Sequence, residues 1–271
     1  WERRLASATT NRVVRPFDWG LEWIPSNGSS GRPAPAQLSE WVEHVMTDTD
    51  AFFTPSPITD YTLGSASADG ERLLTFPSAF ETPHQANNTV YARLFPPRGQ
   101  RTGADRRAAV LVLPQWNSDA GGHVGLSKLL TVNGMTALRL SLPYHDRRMP
   151  PELERADYIV SSNVARTVQV CRQAVLDARR AIAWLAAEGY ERIGILGSSL
   201  GSCLSLLTTA HEPLIKAAAL NHISSYFADV VWRGLSTSHV REGLDGHIGL
   251  QLLRELWGAI SPAWYLERLR D

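Results

Sequence analysis

The chain has little of several features that mark particular classes of protein. Only two lysines, Lys128 and Lys216, and two cysteines, Cys171 and Cys203, occur in 271 residues. Both cysteines fall in stretches with a helical pattern, which predicts buried thiols and not a disulfide framework. No apolar run approaches the roughly 18 residues that a membrane helix needs, and the start of the chain lacks a signal-peptide core. We therefore expect no membrane span and a cytoplasmic location.

An excess of charge of one sign is also lacking. The 27 basic and 27 acidic residues give a net charge of +0. No overall field draws nucleic acid or an anionic membrane to the surface, so a small molecule is the expected partner. The glycine-rich run at 119–123 matches no dinucleotide or phosphate-loop motif, and no cluster has metal-ligand spacing. We therefore expect no cofactor and no metal, while the oligomeric state stays open.

From about residue 71, short apolar runs alternate with longer helical stretches, which is typical of an α/β sheet with helices on both faces. The predicted strands are 71–76, 88–95, 108–114, 136–143, 192–197 and 215–221. The first two suit an antiparallel edge. The continuous apolar runs of the third and fourth predict parallel neighbours that are buried on both faces.

The strongest helical pattern covers about 162–188, where Ser161 or Ser162 can cap the start and Gly189 the end. Residues 1–60, rich in proline, serine, threonine and glycine, predict an N-terminal arm with one helix near 37–49. We expect residues 61–271 to form the α/β core, and the amphipathic pieces at about 224–271 to be lid-like helices that follow the sixth strand.

The stretch GILGSSLGS at 194–202 places Ser199 between Gly197 and Gly201. A strand before this motif and a helix after it turn a common G-x-S-x-G pattern into a specific one. The glycines leave room where strand and helix cross, and the serine takes a strained conformation with positive φ. This arrangement predicts that Ser199 is a nucleophile.

Two backbone amides are candidates to stabilise an oxyanion beside Ser199. The helix that follows the motif presents the amide of Leu200. The second donor is expected in the loop after the strand 108–114, at Trp116 or Gln115.

Three stretches carry a resemblance to the α/β-hydrolase superfamily: LVLPQWN at 111–117, LSLPYHDRR at 140–148 and GILGSSLGS. They resemble its oxyanion loop, its turn with proline and histidine, and its nucleophile elbow. The resemblance implies a mostly parallel sheet and a serine hydrolase that cleaves a carboxylic ester or thioester through an acyl-serine intermediate. It also extends to a little-characterised bacterial branch. The alternatives are an acyltransferase and a non-catalytic protein of this fold that binds a ligand or partner.

The same resemblance implies a triad acid and a histidine later in the chain than Ser199. His222 follows the strand 215–221 and should emerge at the same edge as Ser199, but no acid follows on a neighbouring strand, so we treat it as a possible pocket residue. His145 lies beside Asp146 at the turn where the superfamily has a structural histidine, and is also at most a pocket residue. We expect that the sequence is a nearly inactive fragment without the last two strands, and that the acid and histidine lie beyond Asp271.

Overall fold

The computed structural model describes residues 11–25, 31–97 and 108–269. One seven-stranded sheet forms the centre, in the order β1-β2-β3-β5-β4-β6-β7. The strands are β1 (Thr62–Leu63), β2 (Arg72–Pro77), β3 (Thr89–Phe95), β4 (Ala108–Leu113), β5 (Thr136–Leu140), β6 (Arg192–Ser198) and β7 (Ile215–Asn221). The α-helices are α1 (Ala34–Thr47), α2 (Thr49–Phe53), α3 (Val124–Val132), α4 (Val164–Ala187), α5 (Leu200–His211), α6 (Phe227–Arg233), α7 (Ser238–Leu244) and α8 (Leu250–Leu256).

The sheet is antiparallel on one side and parallel on the other. β1, β2, β3 and β5 pair antiparallel in turn. β5, β4, β6 and β7 pair parallel. The predicted antiparallel edge and the predicted parallel neighbours are therefore confirmed. β1 was not predicted, because its two residues carry no detectable alternation. With β1 counted, the segment predicted as lid-like follows the seventh strand and not the sixth.

The cap of the long helix α4 differs from the prediction. The side chain of Asn163 accepts a hydrogen bond from the Arg166 amide at 2.9 Å, whereas the hydroxyl of Ser162 donates to the carbonyl of Pro16. Asn163 provides the cap because it directly precedes the first helical residue. From that position a side-chain oxygen reaches the free amides of the first turn. Gly189, with φ of 88°, follows the end of the helix as predicted.

The described part of the predicted N-terminal arm packs against the core. The helix predicted near 37–49 is α1, and a second, short helix, α2, follows it. Leu38, Trp41 and Phe53 are buried in the same core as the sheet. Burial of these large apolar side chains stabilises the packing of this segment against the core.

The region predicted as lid-like contains α6, α7, α8 and a 3₁₀ segment, Pro262–Leu269. Trp257 is buried there and donates a hydrogen bond from Nε1 to the carbonyl of Val164, which ties this region to the start of α4. The thiols of Cys171 and Cys203 are free and buried, as predicted. None of the described helices has the length and apolar character needed to cross a membrane.

Candidate functional site

Ser199 occupies the sharp turn between β6 and α5. Its φ is 52°, a value that non-glycine residues seldom adopt, and this confirms the predicted backbone conformation. The amide of Ser199 donates to the carbonyl of Asn221 at 2.9 Å, which ties the turn to the end of β7. The side chain is exposed at the carboxyl edge of the parallel strands. A strained, exposed serine at this edge is placed to meet a ligand.

The two glycines of the motif permit a close crossing of strand and helix. A Cβ atom on Gly197 would clash with the carbonyl of Gly201 and the hydroxyl of Ser205. A Cβ atom on Gly201 would clash with the carbonyls of Leu113 and Pro114. The second close approach also brings the loop that follows β4 against the first turn of α5, beside Ser199.

A cavity of about 580 Å³ opens at Ser199. α6 and the turn Leu235–Thr237 form one wall, and the loop after β7 forms another. The described lining residues are Arg12, Trp116, Val160, Ser199, Leu200, Cys203, His222, Ile223, Ser224, Phe227, Val230, Val231, Arg233, Gly234, Leu235, Ser236 and Thr237. The lining is mostly apolar, which suits a small organic ligand held by a few polar groups.

Two of the three residues predicted to supply oxyanion donors line this cavity. Leu200 is the first residue of α5, where amides have no partner within the helix. Leu200 and Trp116 both line the cavity. Gln115 is exposed and lies outside the lining. Of the two alternatives for the second donor, Trp116 therefore borders the cavity and Gln115 does not.

Hydrogen bonds from both sides hold the loop that carries Trp116. The indole Nε1 of Trp116 donates to the carbonyl of Ala156 at 2.9 Å. The amide of Asn117 donates to Nε2 of His145 at 3.0 Å, and Nδ1 of His145 donates to the carbonyl of Pro143 at 2.9 Å. The ring of His239 stacks on that of Trp116, with centroids 5.8 Å apart. These contacts give the loop a fixed position beside the turn.

His145 does not reach the Ser199 cavity, which corrects its prediction as a possible pocket residue. It lines a separate cavity of about 350 Å³ instead. Burial lowers the pKa of its ring to about 4, so the ring is neutral near pH 7. Asp146 does not orient it, because the carboxylate accepts from Arg139 and from Ser141, each at 2.7 Å. His145 supports the loop, and the His145–Asp146 neighbours are not a base and acid pair.

His222 lines the cavity, as predicted for a pocket residue, and its φ of 63° is left-handed like that of Ser199. All eight histidines of the chain fall in the described residues. Within 11–25, 31–97 and 108–269, no hydrogen bond joins the Ser199 hydroxyl to an imidazole, and no carboxylate pairs with His222. Among the same residues, no group of three His, Cys, Asp or Glu side chains could hold a metal ion.

Two residues of this region carried no sequence signal. Arg12 reaches the cavity from the N-terminal segment and donates from Nη1 to the carbonyl of Leu235, 223 positions away. His239 is buried, and neither ring nitrogen has a hydrogen-bond partner. Burial and the nearby arginines, Arg155, Arg12 and Arg15, lower its pKa to about 4. Only the folded chain brings such distant residues together.

No family model matches the sequence, and no curated protein matches it either. Solved structures do resemble the fold. Acetyl xylan esterase 1 from Thermoanaerobacterium sp. JW/SL YS485 has 14% identity and a TM-score of 0.59, over 93% of this chain and 81% of that one. Acetyl xylan esterase from Paenibacillus sp. R4 has 14% identity and a TM-score of 0.58, over 89% and 77%. The acylaminoacyl peptidase of Pyrococcus horikoshii has 14% identity and a TM-score of 0.52, over 75% and 31%. With the sheet order and the turn at Ser199, these likenesses show the α/β-hydrolase fold.

Proposed function

We propose that this chain of α/β-hydrolase fold is a serine hydrolase that cleaves a carboxylic ester or thioester. The observation that carries the proposal is the strained, exposed Ser199 at the mouth of a cavity, with positive φ and with Gly197 and Gly201 packed too closely to admit a Cβ atom. Backbone strain of this kind persists where the surrounding structure maintains it, and it concentrates at functional sites. The fold likeness to acetyl xylan esterases supports an ester as the substrate.

In the proposed reaction, Oγ of Ser199 attacks the acyl carbon and loses its proton to a base. The amides of Leu200 and Trp116 stabilise the negative oxygen of the tetrahedral intermediate. The bond to the leaving alcohol or thiol then breaks, the leaving group takes the proton, and an acyl-serine remains. Water cleaves the acyl-serine to release the carboxylic acid. Acyl transfer would use the same groups, with an alcohol in place of water.

We infer that the base and its acid partner lie outside the described residues. All histidines are described, and none hydrogen-bonds Ser199. The surface of β7 supports this inference: Ala217, Ala218 and Ala219 are exposed although the strand has an apolar sequence. Parallel strands are normally covered on both faces. A further segment that packs against β7 would end beside His222 and could carry both groups.

Ester hydrolysis by matched serine variants tests the proposal. With p-nitrophenyl butyrate and the protein at its natural length, Ser199→Ala should lower kcat/KM on the order of 10³-fold or more, because the covalent route is lost. Ser198→Ala is the matched control, since the neighbouring hydroxyl lies outside the cavity lining. Its kcat/KM should stay within about threefold of the wild-type value. Equal activity of wild type and Ser199→Ala would contradict the nucleophile assignment.

His222→Ala separates the two sources of a base. If the base lies outside the described residues, this substitution should change kcat by less than about tenfold through altered substrate contacts. A loss as large as that of Ser199→Ala would instead make His222 the base and overturn the inference about its location.

A non-catalytic ligand-binding protein is the second candidate. This candidate is favoured because no histidine of the described residues hydrogen-bonds the Ser199 hydroxyl. Such a protein would bind ligands in the same cavity but would neither hydrolyse esters nor react covalently at Ser199.

A further inference from the structure

The charges that line the Ser199 cavity are of one sign. Two arginines, Arg12 and Arg233, are among the described lining residues, and no carboxylate is. Because the remaining walls are largely apolar, a charge inside the cavity is screened less than one on an open surface. The cavity therefore favours a ligand with negative charge.

Arg12 is the lining arginine that pairs with no carboxylate of the described residues. Its Nη1 donates to the carbonyl of Leu235 at 3.3 Å, and its Nε is buried without a hydrogen-bond partner. No ion pair joins Arg12 to a carboxylate of the described residues. The nearby Arg15 and Arg155 differ, since both pair with Asp157, at 3.3 Å and 3.6 Å. Arg12 is half-buried, so its guanidinium presents at the cavity a positive charge that an anionic group of a ligand would neutralise.

Arg233 contributes less to this charge. Its side chain is 70% exposed and pairs with Asp229 at 3.4 Å. Asp229 also accepts two hydrogen bonds from Arg254. An exposed, paired arginine is screened by solvent and by its partner, so Arg12 provides the main anchor for an anion.

The apolar part of the cavity defines the rest of the ligand. Phe227, Val230 and Val231 of α6 face the same space as Leu200 and Ser199. A ligand that satisfies both parts has an apolar body next to Ser199 and an anionic group next to Arg12.

We propose that the Ser199 cavity selects substrates with an apolar body and a carboxylate, and that Arg12 binds the carboxylate. This proposal rests on the proposed hydrolase function for the reaction at Ser199, but the binding of a carboxylate does not depend on that reaction. A planar guanidinium can bind a carboxylate through two parallel hydrogen bonds.

Calorimetric titration with 4-phenylbutyrate and with its neutral isostere 4-phenylbutyramide tests the binding directly. The wild-type chain should bind the carboxylate roughly tenfold more tightly than the amide, a preference that weakens at high salt. Arg12→Gln should abolish the preference without weakening binding of the amide. Arg12→Lys should retain part of it, because the charge stays but the bidentate geometry is lost. Arg32→Gln, which removes an exposed arginine paired with Glu40 at 2.8 Å, is the control and should keep the full preference.

Two outcomes would overturn the proposal. Equal binding of the two probes by the wild type would show that the cavity does not recognise the carboxylate. An equal loss of both probes in Arg12→Gln would show that Arg12 only supports the turn at Leu235.

A variant without the nucleophile separates this proposal from the proposed function. Ser199→Ala should keep the preference for 4-phenylbutyrate, because it leaves Arg12 in place. On active protein, mono-p-nitrophenyl succinate should have a higher kcat/KM than p-nitrophenyl butyrate, and Arg12→Gln should reverse this order. If the carboxylate preference is found but no ester is cleaved, the binding proposal stands and the hydrolase function fails. If esters are cleaved without preference, the hydrolase function stands and the binding proposal fails.

Discussion

At the scale of single residues, the site depends on two positions that tolerate no side chain. Gly197 and Gly201 were identified from the sequence, because a motif fixed by steric contact is visible as spacing. Arg12 was not, since its approach to Leu235 joins two distant segments. The support of Asn117 by His145 was also missed. Sequence reasoning thus found the strained turn at Ser199 but not the groups that only tertiary structure brings to it.

Gly201→Ala tests the close crossing. The new methyl group would clash with the carbonyls of Leu113 and Pro114, and overpacking of this kind typically lowers the free energy of unfolding by about 1–3 kcal/mol. Gly125→Ala in α3 is the matched control, since nothing lies within 4 Å of its Cβ position, and it should stabilise by roughly 0.5–1 kcal/mol. Urea unfolding measures both. A neutral Gly201→Ala would show that the crossing is looser than described.

His145 gives a pH dependence of stability. Burial lowers its pKa to about 4 in the folded chain, against about 6.5 for a free histidine, so the unfolded state binds the additional proton between these values. The stabilisation is therefore complete above about pH 6.5 and is lost as the pH falls towards 4, by up to about 3 kcal/mol. His145→Gln should be less stable at pH 7 and should show a shallower decline in acid by urea unfolding. If the free energies of unfolding of wild type and His145→Gln declined equally with falling pH, the decline would not come from His145.

At the scale of elements, short apolar runs predicted six of the seven strands, the antiparallel β2 and β3 as well as the parallel β4 to β7. β1 was missed because its two residues carry no pattern. The cap of α4 was misplaced, because serines and asparagine are all good capping residues and only the backbone determines which one precedes the helix. The packing of α1 on the core was also not predicted, since its apolar face does not specify its partner.

Asn163→Ala tests the observed cap of α4. Loss of the bond to the Arg166 amide should lower the free energy of unfolding by about 0.5–2 kcal/mol. Asn163→Ser, which keeps a capping oxygen, should recover a substantial part of that loss in thermal or urea unfolding. If serine and alanine destabilise equally, the side-chain cap is not the source of the effect.

At the scale of the whole molecule, the uncovered β7 is the feature that connects fold and function. Its sequence is apolar, but among the described residues Ala217, Ala218 and Ala219 are exposed. The difference has a physical reason, since no described element pairs with its outer edge. We therefore expect a covering segment that also supplies the proposed base and acid for Ser199.

Ala218→Arg tests whether β7 is covered. In the protein at its natural length, a charge buried against β7 should lower the free energy of unfolding by about 2 kcal/mol or more. Ala51→Arg, on the exposed side of α2, is the control. This substitution should change the free energy of unfolding by no more than roughly 0.5 kcal/mol. Equal, small effects at both positions would show that β7 is not covered.

Covalent labelling tests the central claim, that Ser199 is a nucleophile, most directly. The protein at its natural length is treated with a fluorophosphonate probe and studied by intact mass and peptide mapping. We predict a single adduct, located on Ser199, that is present in Ser198→Ala and missing in Ser199→Ala. A folded wild-type protein that remains unlabelled, or an adduct on another residue that persists in Ser199→Ala, would contradict the account.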